Sequence, residues 1–222
     1  MAFVVGVLLF VVVAGILDAR LLRWPDPRRG RALIAGHFGF AAGVKGRERQ
    51  VPLWALMLAT VWLDIIFAPL LATGVETIEN VPGTSGGYGN LIIHADWTHS
   101  LVGALVLAAL FGLVAARPWG RRAGVVLAAV VFSHWLLDLV VHRADMPILP
   151  GNAGDLPRLG FGLWKAPAVS ILVELALVMA GCWLYWRAAV QTSSADTRRA
   201  NLLGLLVLGA GVVTLALDAL VA

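Results

Sequence analysis

Long apolar stretches, separated by short polar connections, run through almost the whole sequence. Seven can be marked, at about residues 2–17, 32–44, 52–73, 91–116, 123–142, 167–189 and 201–221. A helix needs about 20 apolar residues to cross the hydrocarbon of a bilayer, so six stretches are long enough, or nearly so, to span. The stretch 32–44 is too short to span the bilayer, and we expect it to be a re-entrant or half-crossing segment. The pattern predicts one all-α domain, a polytopic transmembrane helix bundle of about six spanning helices plus one re-entrant or short helix.

The basic residues of the connections favour a particular topology. If 32–44 turns back, fourteen Lys and Arg residues lie on one side of the membrane and three on the other, whereas a crossing would divide them eight against nine. Because Lys and Arg concentrate in cytoplasmic connections, the first arrangement is favoured, with both termini outside. It also places the long connections 74–90 and 143–166 together on the outer side.

Composition excludes several other classes of protein. The 222 residues are 60% hydrophobic and 14% charged, whereas soluble domains are about 45–50% apolar and about 25% charged. The net charge of +4 is explained by the clusters that set topology, and no nucleic-acid partner is implied. The single Cys182 offers neither a disulfide nor a thiolate metal site within one chain. Membrane lipids are the expected partners.

Ionisable residues inside the apolar stretches carry the candidate chemistry. A charged side chain in hydrocarbon costs at least about 2.5–3.5 kcal/mol, so it normally faces a partner, a cavity or a metal. On a helix, His134, Asp138 and His142 lie one turn apart and project toward one face. Imidazole nitrogens and carboxylate oxygens are ligands of zinc and other divalent first-row metals. The strip is therefore half of a metal site, or alternatively a polar stripe that joins helices or lines a water path.

A second group of such residues opens stretch 91–116, where His94, Asp96 and His99 lie close together. In the six-span topology it begins at the outer surface, where the helix of residues 134–142 ends. The two groups can therefore meet. We expect them to bind a divalent metal ion, zinc first and manganese or iron next.

Other stretches add three candidates. Asp64 lies mid-span with no basic residue nearby, and Glu174 lies roughly 10 Å into its helix at about 1.5 Å per residue. Either could complete a metal shell or orient a ligand histidine. His37 lies between glycines that permit close packing. The expected metal ligands are thus His37, Asp64, His94, His99, His134, Asp138 and His142, and the expected catalytic proton acceptors are Asp96 and Glu174.

Taken in order, these residues resemble the bacterial membrane-bound metal-dependent hydrolases of the YdjM-like family. The resemblance covers about residues 32–185, with matches at His37, Asp64, the His94-x4-His99-Ser100 box, and His134 with Asp138. The chain departs from the family where Ala95-Asp96 replaces Arg-Gly. It departs again around Asp64, where the family commonly has a preceding Pro and a following Asp. The missing Asp could reduce a two-metal site to one metal, or Asp96 could compensate.

The resemblance implies a multi-pass protein of the bacterial inner, or plasma, membrane and an enzyme that hydrolyses its substrate. A metal-held water has its pKa lowered toward about 7 and can attack a phosphoryl or carbonyl group. Because the site is expected near headgroup level, a lipid or lipid-linked ester or phosphoester is the expected substrate. Two other functions stay open. One is a transporter or permease that uses the His and Asp residues as an ion or proton path; the other is a structural membrane protein whose metal staples helices.

Overall fold

The structure, a computed structural model, describes residues 35–48, 50–84, 90–192 and 197–221. The described chain is mostly helical, as predicted. Its helices are α1 (Ala35–Arg47), α2 (Leu53–Thr60), α3 (Trp62–Ala72), α4 (Leu101–Val141), α5 (Pro167–Thr192) and α6 (Thr197–Val221). The predicted first span, 2–17, and residues 32–34 of the predicted short segment lie outside the described residues.

Among the described residues, helices α4 and α5 are long and apolar enough to cross a membrane, and α2 with α3 is a third candidate if the bent pair is one span. Their surfaces suit a lipid environment. Leu110, Leu113 and Val125 of α4 and Leu172 of α5 are each more than half exposed. Such contiguous exposed apolar surface marks a membrane or partner contact, so the structure supports association with a membrane.

Helix α4 is a hairpin of two arms. At Gly120 the backbone has φ 83° and ψ 165°, a conformation that glycine adopts without steric cost. A Cβ on Gly112 would lie 2.6 Å from the Gly124 carbonyl oxygen, although these residues would be about 18 Å apart in a straight helix. Residues 101–119 and 121–141 are therefore antiparallel arms, joined where the sequence predicts a connection.

The predicted span 52–73 is broken at Val61, where α2 and α3 meet at a bend of 46°. Val61 has φ −114° and ψ 12°, outside the helical range. Just before the break, the Thr60 hydroxyl donates to the Met57 carbonyl. The interruption leaves the Thr60 carbonyl oxygen in contact with a side chain of α4, which matters for the site described below.

A small antiparallel hairpin precedes α4. It consists of β1 (Thr77–Asn80) and β2 (Leu91–His94), with Thr77 opposite His94. The expectation of a helix from residue 91 is thus wrong at its start, since α4 begins only at Leu101. The β-branched Ile92 and Ile93 favour extended backbone. Pairing with β1 supplies hydrogen-bond partners for this extended segment.

Helix α1 packs closely against α5. A Cβ on Gly39 would overlap the carbonyl of Leu177, and one on Gly43 would meet the Leu184 side chain at 3.3 Å. The two helices therefore run parallel, with small residues allowing their close approach. His37, two residues before Gly39, is brought into the bundle by this packing.

The described residues of the two long connections, 74–84, 90 and 143–166, lie at the open end of the α4 hairpin. Arg158 donates two hydrogen bonds to Asp96, at 2.6 and 3.0 Å, and so joins the segment before α4 to the segment after it. At the opposite end, Arg122 pairs with Glu48 at 2.9 Å. The described parts of the two long connections thus lie at one end of the α4 hairpin, and the Arg122–Glu48 pair lies at the other.

Candidate metal centre

Five of the seven predicted metal ligands come together inside the bundle. They form a cluster, here called the His/Asp cluster, of His37 from α1, Asp64 from α3, His99 from the turn before α4, and His134 and Asp138 from the second arm of α4. Two overlapping groups within it, His37–His134–Asp138 and Asp64–His99–His134, could hold a metal ion. His99, His134 and Asp138 are buried.

The distances between the donor atoms match a metal shell. His99 Nε2 and His134 Nε2 are 3.3 Å apart. Asp138 Oδ2 lies 3.0 Å from Nε2 of His134 and 3.4 Å from Nε2 of His99. Asp64 Oδ1 lies 3.6 Å from both of these nitrogens. A tetrahedral ion with ligands at about 2.0–2.1 Å separates its ligand atoms by about 3.3–3.4 Å. Each carboxylate oxygen therefore forms, with the two nitrogens, a triangle close in size to one face of that shell.

Hydrogen bonds on the far side of each ring fix the position of its proton. His134 Nδ1 contacts the Thr60 carbonyl oxygen, which can only accept, so Nδ1 donates. His99 Nδ1 lies 2.8 Å from Thr98 Oγ1, and that hydroxyl lies 3.0 and 3.1 Å from the Glu76 carboxylate oxygens. Since the carboxylate takes the hydroxyl hydrogen, Thr98 accepts from His99. Each neutral ring thus keeps a lone pair on Nε2, and both lone pairs face the cluster.

This arrangement could hold a cation. Two imidazole lone pairs and two carboxylates facing one another repel unless positive charge lies between them. In the described part of the chain, neither Asp64 nor Asp138 forms an ion pair with Lys or Arg. Protonated histidines or a bound metal ion could supply this charge, and a metal ion can bind several of these atoms at once. The donor set of imidazole and carboxylate suits a divalent first-row metal.

His37 approaches the cluster from the other side of Asp138. Its Nε2 lies 3.6 Å from Asp138 Oδ1, and this buried nitrogen has no hydrogen-bond partner among the described residues. Its ring packs on that of His134, with centroids 4.2 Å apart. The Nε2 atom of His37 can therefore serve as a further metal-ligand atom beside Asp138, the carboxylate that His99 and His134 also contact.

His142 lies next to the cluster, just past the end of α4. Its ring stacks at 6.4 Å from that of His99 and packs at 4.5 Å from Trp164. Nδ1 lies 3.0 Å from Asp145 Oδ1, and since a carboxylate accepts, Nδ1 donates and Nε2 remains an acceptor. Burial alone would lower the pKa of His142, but the hydrogen bond to Asp145 raises it above its ordinary value.

The other three predicted site residues lie outside the cluster. His94 ends β2, with Nε2 3.8 Å from Glu79 Oε2 across the hairpin. Both oxygens of Asp96 are held by Arg158, and this interaction raises the pKa of Arg158. Glu174 is half-buried on α5. The roles of His94 and His142 as ligands and of Asp96 and Glu174 as proton acceptors stay predictions.

Sequence reasoning missed the groups that hydrogen-bond to the histidine rings or, in the case of Trp135, to the main-chain carbonyl of His99. They are Thr60, Glu76, Thr98, Trp135 and Asp145. Thr98 and Trp135 are direct neighbours of ligand histidines, so a search for polar side chains beside each histidine could have found them. The Thr60 carbonyl leaves no such signal, because every residue carries one.

No protein-family model, no curated protein and no solved structure matches this chain. The chemistry of the site must therefore be argued from its own geometry.

Proposed function

We propose that the protein is a membrane-embedded, metal-dependent hydrolase that cleaves a lipid or lipid-linked ester or phosphoester. The observation that carries this proposal is the convergence of His99, His134, Asp64 and Asp138, whose donor atoms lie 3.0–3.6 Å apart in the pairs given above. The resemblance to the YdjM-like hydrolases of bacterial inner membranes supports the same function.

The donor set suits zinc first, and manganese or iron next. Such an ion, when bound, makes water a nucleophile near neutral pH and polarises the substrate oxygen. The protein's own contribution is to hold His99 and His134 as neutral rings with Nε2 turned inward, and to place two carboxylates against them. The shared inward orientation of the two rings limits the directions from which a substrate can approach.

Hydrolysis also requires a group that takes the proton of the attacking water. Arg158 holds both oxygens of Asp96, which weakens that residue as a base. We assign the role to the neutral form of His142, which is present above its raised pKa, because its ring lies beside that of His99 and Asp145 orients it with Nε2 as an acceptor. Asp96 and Glu174 are the alternatives that the sequence predicts.

The depth of the cluster favours a lipid substrate. His134 lies seven residues before the end of α4, or about 10 Å at about 1.5 Å per residue. Large aromatic side chains are exposed at this end of the bundle, where Trp97 is 52% and Phe161 77% exposed. Aromatic residues are typical of the membrane interface, where the ester and phosphoester groups of lipids lie.

We further propose the six-span topology that the sequence predicts. The spans would be stretch 2–17, the α2–α3 pair, the two arms of α4, and helices α5 and α6, with α1 as the short segment. Each arm of α4 has about 20 residues, enough for about 30 Å. The basic end around Arg122 faces the cytoplasm and the His/Asp cluster opens toward the outer side.

Elemental analysis tests the metal. Protein purified without chelator should carry a divalent transition metal, and His134→Ala should lose it. His94→Ala is the matched control, because His94 lies outside the cluster and its substitution should leave the metal bound. Equal metal in wild type and His134→Ala, or none in wild type, would contradict the proposal.

A second assay tests the chemistry. Metal-loaded protein should release product from at least one member of a panel of phospholipids and polyprenyl phosphates in mixed micelles. If the panel stays intact and the reconstituted protein instead moves an ion or lipid across vesicles, the transporter function replaces the hydrolase. Bound metal with neither activity would favour the helix-stapling role.

A further inference from the structure

Glu76 is a buried carboxylate that the proposed chemistry does not use. It lies in the turn between α3 and β1 and is 1% exposed. Its Oε1 accepts hydrogen bonds from the main-chain N–H groups of Trp97 and Thr98, both at 2.9 Å. Throughout the described ranges, no Lys or Arg pairs with it. A buried charge without a partner is costly, so these bonds must compensate for its burial.

The Thr98 hydroxyl connects this carboxylate to His99. It has one hydrogen to donate and lies within 3.1 Å of both Glu76 oxygens and 2.8 Å from His99 Nδ1. An ionised carboxylate can only accept, so the hydroxyl donates to Glu76 and accepts from His99. The three groups thus form a directed chain that ends by leaving the Nε2 lone pair of His99 facing the cluster.

His134 on α4 and His99 in the turn before α4 are oriented by different means. A main-chain carbonyl, that of Thr60, holds His134, and no side-chain substitution removes it. His99 depends on the side chains of Thr98 and Glu76, which come from separate segments of the chain. Its ring orientation can therefore be changed without touching a donor atom of the cluster.

We propose that Glu76 and Thr98 are positioning residues for His99, which fix its protonated nitrogen and tie the metal site to the turn before β1. The expected effect on metal affinity rests on the proposed function, since it takes His99 as a ligand. The hydrogen-bond chain itself does not, because it can be measured in metal-free protein. Partners of this type raise the basicity of ligand histidines and cost about 10- to 100-fold in metal affinity or activity when removed.

The test compares Thr98→Val with Thr98→Ser. Valine has the shape of threonine without the hydroxyl, whereas serine keeps the hydroxyl. Histidine-selective ¹⁵N NMR of metal-free protein in detergent, at a pH where the ring is neutral, should show the proton of His99 on Nδ1 in wild type and Thr98→Ser. In Thr98→Val it should move partly or wholly to Nε2. The His99 signals are assigned from their absence in His99→Gln.

Metal competition against a chelator gives the second readout. Zinc should bind about 10- to 100-fold more weakly to Thr98→Val, and serine should restore most of the affinity. Thr73→Val is the control, because the Thr73 hydroxyl bonds only main-chain carbonyls at the exposed end of α3. It should change neither readout.

The outcomes separate the two proposals. An unchanged His99 tautomer in Thr98→Val overturns the positioning role, whatever the metal content. Wild-type affinity in Thr98→Val overturns it too, while leaving the metal site in place. If Thr98→Val shows the expected tautomer shift but the wild type binds no zinc, the proposed function is removed and the hydrogen-bond chain is kept.

Discussion

The Nε2 atoms of His99 and His134 face each other at 3.3 Å, although 35 positions separate them in the chain. The α4 hairpin brings them together, because its first arm starts just after His99 and its second arm carries His134 back to the same end. Each ring donates from Nδ1 on its far side, so neither Nε2 needs a proton. A metal ion between them would bind both lone pairs.

Asp138→Asn should remove the metal. Asp138 lies within 3.6 Å of the Nε2 atoms of three histidines. All three histidines of the cluster therefore contact its carboxylate. An amide oxygen is a weaker, neutral ligand, and zinc affinity should fall by more than the about 10- to 100-fold expected for an outer-shell group. Chelator competition measures the loss. Asp96→Asn, which breaks the pair with Arg158 instead, should bind zinc as wild type does, and equal losses in both variants would argue against the cluster.

His142→Gln should slow turnover while keeping the metal. Loss of a general base typically costs about 10²–10⁴ in rate, and glutamine cannot take the proton. We expect kcat to fall and KM and metal content to change little. Asp145→Asn should lower kcat less, since it removes the orienting partner and leaves the base. If Asp96→Asn or Glu174→Gln stops turnover and His142→Gln does not, the assignment from sequence is the right one.

Gly124→Ala should destabilise the α4 hairpin. Its Cβ would lie 2.5 Å from the Gly112 carbonyl oxygen, so the arms would have to separate. Overpacking of this type costs about 1–3 kcal/mol, which thermal unfolding in detergent can detect as a lower Tm. Gly209→Ala on α6, where a Cβ would meet nothing within 4 Å, is the matched control. Equal Tm values for the two variants would contradict the close contact of the arms.

Cysteine labelling tests the orientation of the bundle. In a Cys182→Ser background, an impermeant reagent applied to intact cells should modify Gly154→Cys, in the exposed connection after α4. It should leave Arg121→Cys, at the exposed turn of the hairpin, unmodified until the membrane is permeabilised. The opposite pattern would reverse the topology and place the His/Asp cluster near the cytoplasm.

Features that depend on near neighbours could be predicted from the sequence. The helical class follows from the length of the apolar stretches, and the shared face of His134 and Asp138 follows from the helical period. The placement of the long connections at one end follows from the distribution of Lys and Arg. These patterns depend on local geometry or on counts, so no tertiary contact is needed to find them.

Only the tertiary structure decided which of the predicted residues meet. His94 and His99 are five residues apart, yet a strand carries the first away to Glu79 and a turn brings the second to His134. The break at Val61 brings the Thr60 carbonyl to His134, and Glu76 reaches Thr98 across 22 positions. Such contacts depend on where the backbone leaves regular structure and on what then packs against it, and neither is encoded in the periodicity of a single segment.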